Sequence, residues 1–142
     1  MDITAIHNET QLAAVLELCY GILGQHLRDI DGYRYEEWLA RLEKHSFLLL
    51  YAHENGKPIA AVLGRPENAD SLVMGFAACD EAYRKRGITR MLTQLFEANA
   101  KEAGFKYITL GADKAAESFY EKCGYVCINE LHGQKIYQKV LQ

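Results

Sequence analysis

The chain has 142 residues and a formal net charge of -3. The length predicts one domain, residues 1–142, with a hydrophobic core. The slightly acidic charge disfavours a general nucleic-acid-binding protein. No apolar run approaches the ~20 residues of a membrane span, and the N-terminus lacks the basic start and apolar stretch of a signal peptide. We therefore predict a cytoplasmic protein with no membrane partner.

The N-terminal part of the chain predicts a strand and then a helix. Residues 2–7 partly alternate between apolar and polar side chains, as strands do. Asn8 offers an N-cap, and Gln11 follows at the spacing of a capping box. Apolar residues then recur with helical spacing as far as Leu23, and Gly24 ends the predicted helix.

The remaining elements are predicted from apolar periodicity and turn signals. Asn55-Gly56 indicates a type I′ hairpin, which needs positive φ at both positions, and Gly75 indicates a β-bulge or a close backbone approach. The predicted segments are a loop at 25–32, a helix at 35–42, strands at 47–52, 58–64 and 71–79, a helix at 88–103, a strand at 106–110, a helix at 113–122 and strands at 125–129 and 135–141.

The resulting order, β-α-α-β-β-β-α-β-α-β-β, predicts a mixed central sheet flanked by helices, in the α/β (α+β) class. The helix at 88–103 most naturally connects two parallel neighbouring strands, while the hairpins supply antiparallel pairs.

Cysteines and histidines give no sign of a metal site or a disulfide framework. The four cysteines form no C-x-x-C pair, and the five histidines show no H-E-x-x-H spacing. Because no secretory signal is present, free thiols are expected. We therefore predict buried free cysteines and no bound metal.

A cationic stretch at residues 83–90, Y-R-K-R-G-I-T-R, follows a predicted strand and opens a predicted helix. A helix N-terminus presents unpaired N–H groups and the positive end of the helix dipole, so this loop suits a phosphate or pyrophosphate. The cations oppose that dipole, which favours a bound anion that offsets them. A solvated cationic face is the alternative interpretation.

A second informative stretch, residues 116–125, reads A-E-S-F-Y-E-K-C-G-Y. The pattern A-x-x-F-Y-E-K-x-G-Y resembles the second conserved motif of the GNAT superfamily of N-acetyltransferases. Arg84-x-x-Gly87-x-Thr89 resembles the first motif, usually written Q/R-x-x-G-x-G/A. The two motifs occur in the family's order, and the resemblance covers about residues 71–125. Each motif alone is weak, but together at this spacing they are specific.

The resemblance implies a single-domain GNAT fold and a set of contacts to acetyl-CoA. Backbone groups on the strand at 77–79 are expected to meet the pantetheine arm, and the loop at 84–89 to wrap the pyrophosphate. Asp113 stands where the family often has Asn. The implied cofactor-binding residues are Ala77, Ala78, Cys79, Arg84, Lys85, Arg86, Gly87, Ile88, Thr89, Arg90, Asp113 and Ala116.

Tyr120 is the implied catalytic residue, placed by the motif where it would protonate the leaving thiolate. An amphipathic packing residue is the alternative role for this tyrosine.

Three departures from the family pattern bear on the mechanism. Thr89 replaces a usual Gly or Ala and narrows the space at the pyrophosphate, and Glu81 replaces a common Pro. Val73 stands where many members have a catalytic Glu, and valine cannot accept a proton. The general base is then elsewhere, or a water relays the proton to the backbone or to a carboxylate. The carboxylates considered are Asp70, Asp80 and Glu81.

We therefore predict an N-acyltransferase that moves acetyl from acetyl-CoA to a primary amine by direct attack in a ternary complex, with backbone N–H groups on the 71–79 strand stabilising the oxyanion. No metal is implied. The alternatives are a catalytically decayed CoA-binding module, a transferase of a longer acyl group, or an enzyme acting on a protein N-terminus.

The acceptor, a small molecule or a peptide, is predicted to lie against the segment at 29–38, because the family's acceptor pocket is usually shaped by the first two helices, their loop and the last two strands. Carboxylates with aromatic rings suit a cationic amine, and a polar helix N-terminus is the alternative interpretation. The predicted residues are Asp29, Asp31, Tyr33, Tyr35 and Glu36. The oligomeric state stays open, with a homodimer as the commonest soluble assembly.

Overall fold

One seven-stranded mixed sheet runs through residues 1–142, all of which the structure, a computed structural model, describes. The observed order of helices and strands confirms the predicted α/β (α+β) class. The elements are β1 (Asp2–Ala5), α1 (Glu9–Leu23), α2 (Tyr35–His45), β2 (Leu49–Glu54), β3 (Lys57–Pro66), β4 (Ser71–Cys79), α3 (Ile88–Glu102), β5 (Tyr107–Ala112), α4 (Glu117–Lys122), β6 (Val126–Leu131) and β7 (Gln134–Val140).

Helix α1 begins with a cap that differs by one residue from the predicted capping box. The Asn8 side chain accepts a hydrogen bond from the Gln11 backbone N–H at 2.9 Å. The Gln11 side chain, however, accepts from the His7 N–H and not from that of Asn8. Both bonds still satisfy free donors at the start of the helix.

Short 3₁₀ turns account for two differences between the predicted and observed elements. Residues Gln25–Asp29, predicted to form a loop, form one such turn. Another at Ser46–Leu48 delays the start of β2 to Leu49, two residues later than predicted. In both places the chain makes a tight turn that apolar periodicity does not signal.

Two type I′ hairpins join neighbouring strands. Asn55 and Gly56 have φ values of 52° and 81°, which confirms the predicted turn between β2 and β3. His132 and Gly133, between β6 and β7, have φ values of 53° and 76°.

The strand order across the sheet is β1-β2-β3-β4-β5-β7-β6. Only β4 and β5 are parallel, and α3 connects them, as predicted. They pair only at Ser71–Val73 against Tyr107–Thr109. Beyond Val73 the two strands separate, which leaves a slot in the middle of the sheet.

Gly75 forms the predicted β-bulge on β4. In the register with β3, Leu63 opposes Phe76 and the next residue opposes Met74, so Gly75 has no partner. The bulge changes which face of the sheet the buried side chains occupy. Met74 packs into the cluster beneath α3 and α4, whereas Phe76 packs into the cluster beneath α1 and α2.

All four cysteines are free, but their burial differs from the prediction. Cys19 is buried, and burial raises the pKa of its thiol to about 12. Cys79 and Cys123 are half-buried, and Cys127 is exposed because it lies on the edge strand β6. No helix is both long and apolar enough to cross a membrane.

Candidate active site

Two cavities meet at the slot where β4 and β5 separate. The first, here called the loop cavity, has a volume of about 590 Å³ and lies between the end of β4, the loop before α3 and the start of α4. It brings together all but one of the twelve residues implied to bind the cofactor. Those lining it are Ala77, Ala78, Cys79, Arg84, Lys85, Gly87, Ile88, Thr89, Arg90, Asp113 and Ala116.

The backbone of the loop before α3 is shaped to present N–H groups. Lys85 and Gly87 both adopt left-handed conformations, with φ values of 65° and 77°. No side chain caps α3, its first turn contains no acid, and the N–H groups of residues 88–90 have no hydrogen-bond partner in the chain. Free donors and the helix dipole together make this an anion-binding arrangement.

The cations of this loop point in different directions. The Nε of Arg84 donates to the Cys79 carbonyl at 3.2 Å, which fastens the loop to the end of β4. Arg86 lies outside the loop cavity, with its guanidinium carbon 5.1 Å from the centre of the Tyr83 ring. The charge that faces the cavity therefore comes from Arg84, Lys85 and Arg90.

The second cavity, here called the bulge cavity, has a volume of about 560 Å³. Its walls are the β4 bulge, the second half of β5, the start of β7 and the turn after α1. Two carboxylates line it, Glu67 and Asp113. The Asp113 carboxylate already accepts a hydrogen bond from the Ala116 N–H at 3.0 Å, whereas Glu67 has no ion-pair partner.

Tyr120 lies on the wall that both cavities share. Its side chain is only 6% exposed, and its ring packs edge-on against Phe119 and Tyr125. The hydroxyl lies 3.8 Å from the Met74 sulfur, its only side-chain contact of hydrogen-bond type. Burial, with smaller contributions from the Cys123 and Asp113 charges, raises the pKa of Tyr120 to about 12, so the phenol is protonated at neutral pH.

Of the five predicted acceptor residues, only Tyr33 lines the bulge cavity. Its ring stacks on Phe76 with centroids 5.2 Å apart. Asp31 is exposed and forms an ion pair with Arg34 at 2.7 Å. The other three are exposed and lie outside both cavities: Asp29, Tyr35 and Glu36.

The three carboxylates considered as a base also lie outside both cavities. The Asp80 side chain accepts from the Ala82 N–H, and Asp70 faces Lys106 at 3.9 Å. Glu81 is exposed in the short turn that precedes the cationic loop. Val73 does line the bulge cavity, where it presents only methyl groups.

Several lining residues of the bulge cavity were not predicted from the sequence. They come from segments far apart in the chain and carry no local motif. The main ones are His26, Glu67, Thr109, Gln134 and Ile136. Glu67 lies in a polar loop where one more acid is unremarkable, so no sequence signal could have singled it out.

The arrangement combines an anion-binding loop, a slot along an unpaired strand edge, and a second cavity with a carboxylate. A buried protonated phenol lies where the two cavities meet. Such a site can hold an extended anionic donor on one side and an amine on the other, with a proton donor at their junction. No three His, Cys, Asp or Glu side chains converge as a metal site would require.

Comparisons with known proteins identify the family and the fold of the chain. The acetyltransferase (GNAT) family model matches residues 10–125. Among solved structures, the PaiA N-acetyltransferase of Thermoplasma acidophilum in complex with coenzyme A superposes with a TM-score of 0.80 at 18% identity, covering 99% of both chains.

Two further solved structures show the same fold. An aminoglycoside 6′-N-acetyltransferase complexed with coenzyme A gives a TM-score of 0.81 at 14% identity, covering 100% of this chain and 98% of that one. A GNAT-family acetyltransferase of Staphylococcus aureus Mu50 gives 0.77 at 18% identity, covering 99% of both. The chain therefore belongs to the acetyltransferase (GNAT) family, and it has that family's fold.

Proposed function

We propose that this chain transfers an acetyl group from acetyl-CoA to a primary amine, with residues 1–142 acting as one catalytic domain. The observation that supports this most strongly is the position of Tyr120, buried and protonated on the wall common to the two cavities. A binding module alone has no need for a proton donor at that junction.

The loop cavity suits coenzyme A. The free N–H groups at the start of α3 and the cations Arg84, Lys85 and Arg90 would meet the phosphates. The edge of β4 from Met74 onward, unpaired on the side facing β5, would offer backbone groups to the pantetheine arm. The neighbouring structures solved with coenzyme A are consistent with this use of the cavity.

The chain's residues would then act in one balanced step. The β4 backbone N–H groups stabilise negative charge on the carbonyl oxygen, and the cavities hold the two substrates in line. The nitrogen–carbon bond forms and the carbon–sulfur bond breaks. The Tyr120 hydroxyl donates its proton to the departing sulfur, and the nitrogen, which attacks as a neutral amine, gives up one proton to water or to Glu67. Water then returns a proton to Tyr120.

One observation keeps a second candidate in view, a CoA-binding module without catalysis. Val73 supplies no proton acceptor in the bulge cavity. The two functions differ in one measurable respect, since a decayed module binds CoA but transfers nothing.

The test is a transfer assay with acetyl-CoA and a panel of primary amines that includes polyamines, amino sugars, aminoglycosides and short peptides. CoA release and N-acetylated product are measured together, with CoA affinity determined in parallel by calorimetry. We expect CoA to bind and at least one amine to be acetylated. Binding without transfer to any amine would favour the decayed module, and absence of CoA binding would contradict both functions. Repeating the assay with longer acyl-CoA donors measures the acyl preference.

A further inference from the structure

A cluster of basic side chains lies beside the bulge cavity, in a shallow hollow of about 410 Å³ between α2 and the end of β3. We call this cluster the basic patch. Its members are Arg41, Lys44, His45 and Arg65. Lys44 and His45 lie in the last turn of α2, where cations complement the helix dipole. That explanation does not extend to Arg65, which lies on a strand.

No ion-pair contact joins an acid to the basic patch. None of the five ion pairs in the structure includes any of its four members. Glu37 is the one carboxylate in the hollow, and its oxygens accept hydrogen bonds from the Gly32 and Arg34 N–H groups. The Glu37 charge acts on Arg41 without an ion-pair contact, and the half-buried Arg65 nearby has no ion-pair partner in the chain.

Arg41 is held in place by the fold. It donates to the Gly32 carbonyl at 2.7 Å, and its guanidinium lies 4.4 Å from the centre of the buried Trp38 ring. Burial lowers the pKa of Arg41, and the neighbouring charge of Arg65 lowers it further. Arg65 itself makes no side-chain hydrogen bond within the chain, so its donors are available to a ligand.

The basic patch is continuous with the bulge cavity. Arg65 lies opposite Val73 in the register of β3 and β4, so the two side chains share a face of the sheet, and Val73 lines the bulge cavity. Pro66 borders the hollow, and the next residue, Glu67, lines the cavity. Arg65 and Glu67 are thus about 6–7 Å apart along the backbone. The Glu67 carboxylate therefore lies next to the guanidiniums of Arg65 and Arg41, at the mouth of the bulge cavity.

We propose that the acceptor is a primary amine that carries a distal anionic group, a carboxylate or a phosphate, which Arg65 and Arg41 bind. This inference rests on the proposed acetyl transfer, because it assigns the acceptor of that site. The reacting nitrogen would lie in the bulge cavity and the basic patch lies beside that cavity, so the amine and the anion must be separated along the acceptor. This arrangement suits an extended amine, such as a peptide with an acidic residue near its N-terminus or an amino sugar phosphate.

The experiment measures binding to the CoA-saturated protein by calorimetry, so that it does not depend on turnover. Two matched pairs of probes differ only in the anion. One pair is the tripeptide amides Ala-Ala-Glu and Ala-Ala-Gln, and the other is glucosamine 6-phosphate and glucosamine. We expect the anionic member of at least one pair to bind about tenfold more tightly, because charge-assisted bonds to a guanidinium are strong. The pair that shows the preference distinguishes the peptide from the sugar phosphate.

Variants at Arg65 locate the preference. Arg65→Gln should abolish it while leaving the affinity of the neutral probe unchanged, and Arg65→Lys should restore part of it. Lys101→Gln, which removes an equal charge from the exposed end of α3, should leave the preference intact. If Arg65 had only a structural role, its substitution would change the affinities of both probes of a pair alike.

Equal binding of both members in both pairs would overturn the anion site, and so would a preference that survives Arg65→Gln. Acetylation of the same probes is followed separately. A preference for the anionic probe, without acetylation of any probe or of any amine in the panel, would support the anion site and contradict the proposed transfer, so the two failures are distinguishable.

Discussion

The loop cavity and the bulge cavity are built in different ways. The loop cavity takes most of its lining from two short segments, the cationic loop at 84–90 and the start of α4. The bulge cavity takes one run of residues from β4 and another from β5, and adds residues from β7, from α4 and from the segments that follow α1 and β3. One side of the site is thus encoded locally in the sequence, whereas the other exists only once the chain has folded.

The difference reflects what each cavity is suited to bind. Backbone N–H groups at a helix start recognise a phosphate whatever the side chains are, so the loop needs only particular φ values and a few cations. Recognition of an acceptor depends on dispersed side chains, which can change one at a time without disturbing the fold. We infer that the donor side of this chain is the fixed half of the site and the acceptor side its adjustable half.

The largest expected effect is at the junction of the two cavities. Tyr120→Phe keeps the ring that packs against Phe119 and Tyr125 and removes only the hydroxyl. Loss of a general acid typically lowers the rate ~10²–10⁴-fold, so kcat should fall by this factor. The affinity for acetyl-CoA should change little. The measurement is steady-state kinetics under conditions in which chemistry limits the rate. A wild-type kcat in the folded variant would leave Tyr120 as a packing residue.

The next effect should be confined to the loop cavity. Gly87→Glu places a carboxylate where the anion is expected, and an added Cβ there meets no protein atom within 4 Å. Repulsion between close charges at the protein surface should weaken acetyl-CoA binding roughly tenfold to a hundredfold. Calorimetry measures the affinity, and added salt should weaken binding to the wild-type protein as well.

Gly56→Glu is a matched control for this substitution. Gly56 has a φ of 81° against 77° at Gly87, and its added Cβ is equally unobstructed. The two variants therefore share the cost of a left-handed side chain and the same change in charge. Equal CoA affinities in the two would show that the loop at 84–90 does not hold the pyrophosphate.

How far the sequence predicts this protein depends on whether a signal is local. The Asn55-Gly56 hairpin, the bulge at Gly75 and the helix start at residue 88 were correct because each depends on the conformation of one or two residues. The start of β2 was wrong because a 3₁₀ turn took its first two residues.

The predicted acceptor residues and the lining of the bulge cavity share only Tyr33, and the reason is physical. The acids at 29–36 were chosen because they cluster in sequence, yet one forms an ion pair with Arg34 and only Tyr33 reaches the bulge cavity. Glu67 and Gln134 are brought together by the sheet, across β4, β5 and β7, and no contiguous pattern indicates that they meet.

A smaller effect should distinguish Glu67, which lines the bulge cavity, from the acids of the 29–36 segment. Glu67→Gln removes the unpaired carboxylate of the bulge cavity, so the KM of a cationic acceptor should rise about two- to fivefold, the range for an exposed ion pair. Asp31→Asn, which removes another exposed acid that lies outside the cavity, should leave this KM unchanged. Steady-state kinetics at saturating acetyl-CoA measures both. The reverse result would assign the acceptor to the 29–36 segment.

The last expected effect concerns stability at alkaline pH and tests whether the wall that holds Tyr120 is closed to water. Burial raises its pKa from the ordinary 10.0 to about 12, so between pH 10 and 12 the folded protein holds a proton that the unfolded chain has lost. Stability from this group is fully present below pH 10 and is lost as the pH rises toward 12. At pH 11 the free energy of unfolding should have fallen by about 1 kcal/mol on this account.

Urea unfolding at pH 9 and pH 11 should show a smaller fall in Tyr120→Phe than in the wild type, whereas Glu67→Gln should match the wild type. An equal fall in all three proteins would mean that water reaches the Tyr120 hydroxyl, and that the wall between the two cavities opens in solution.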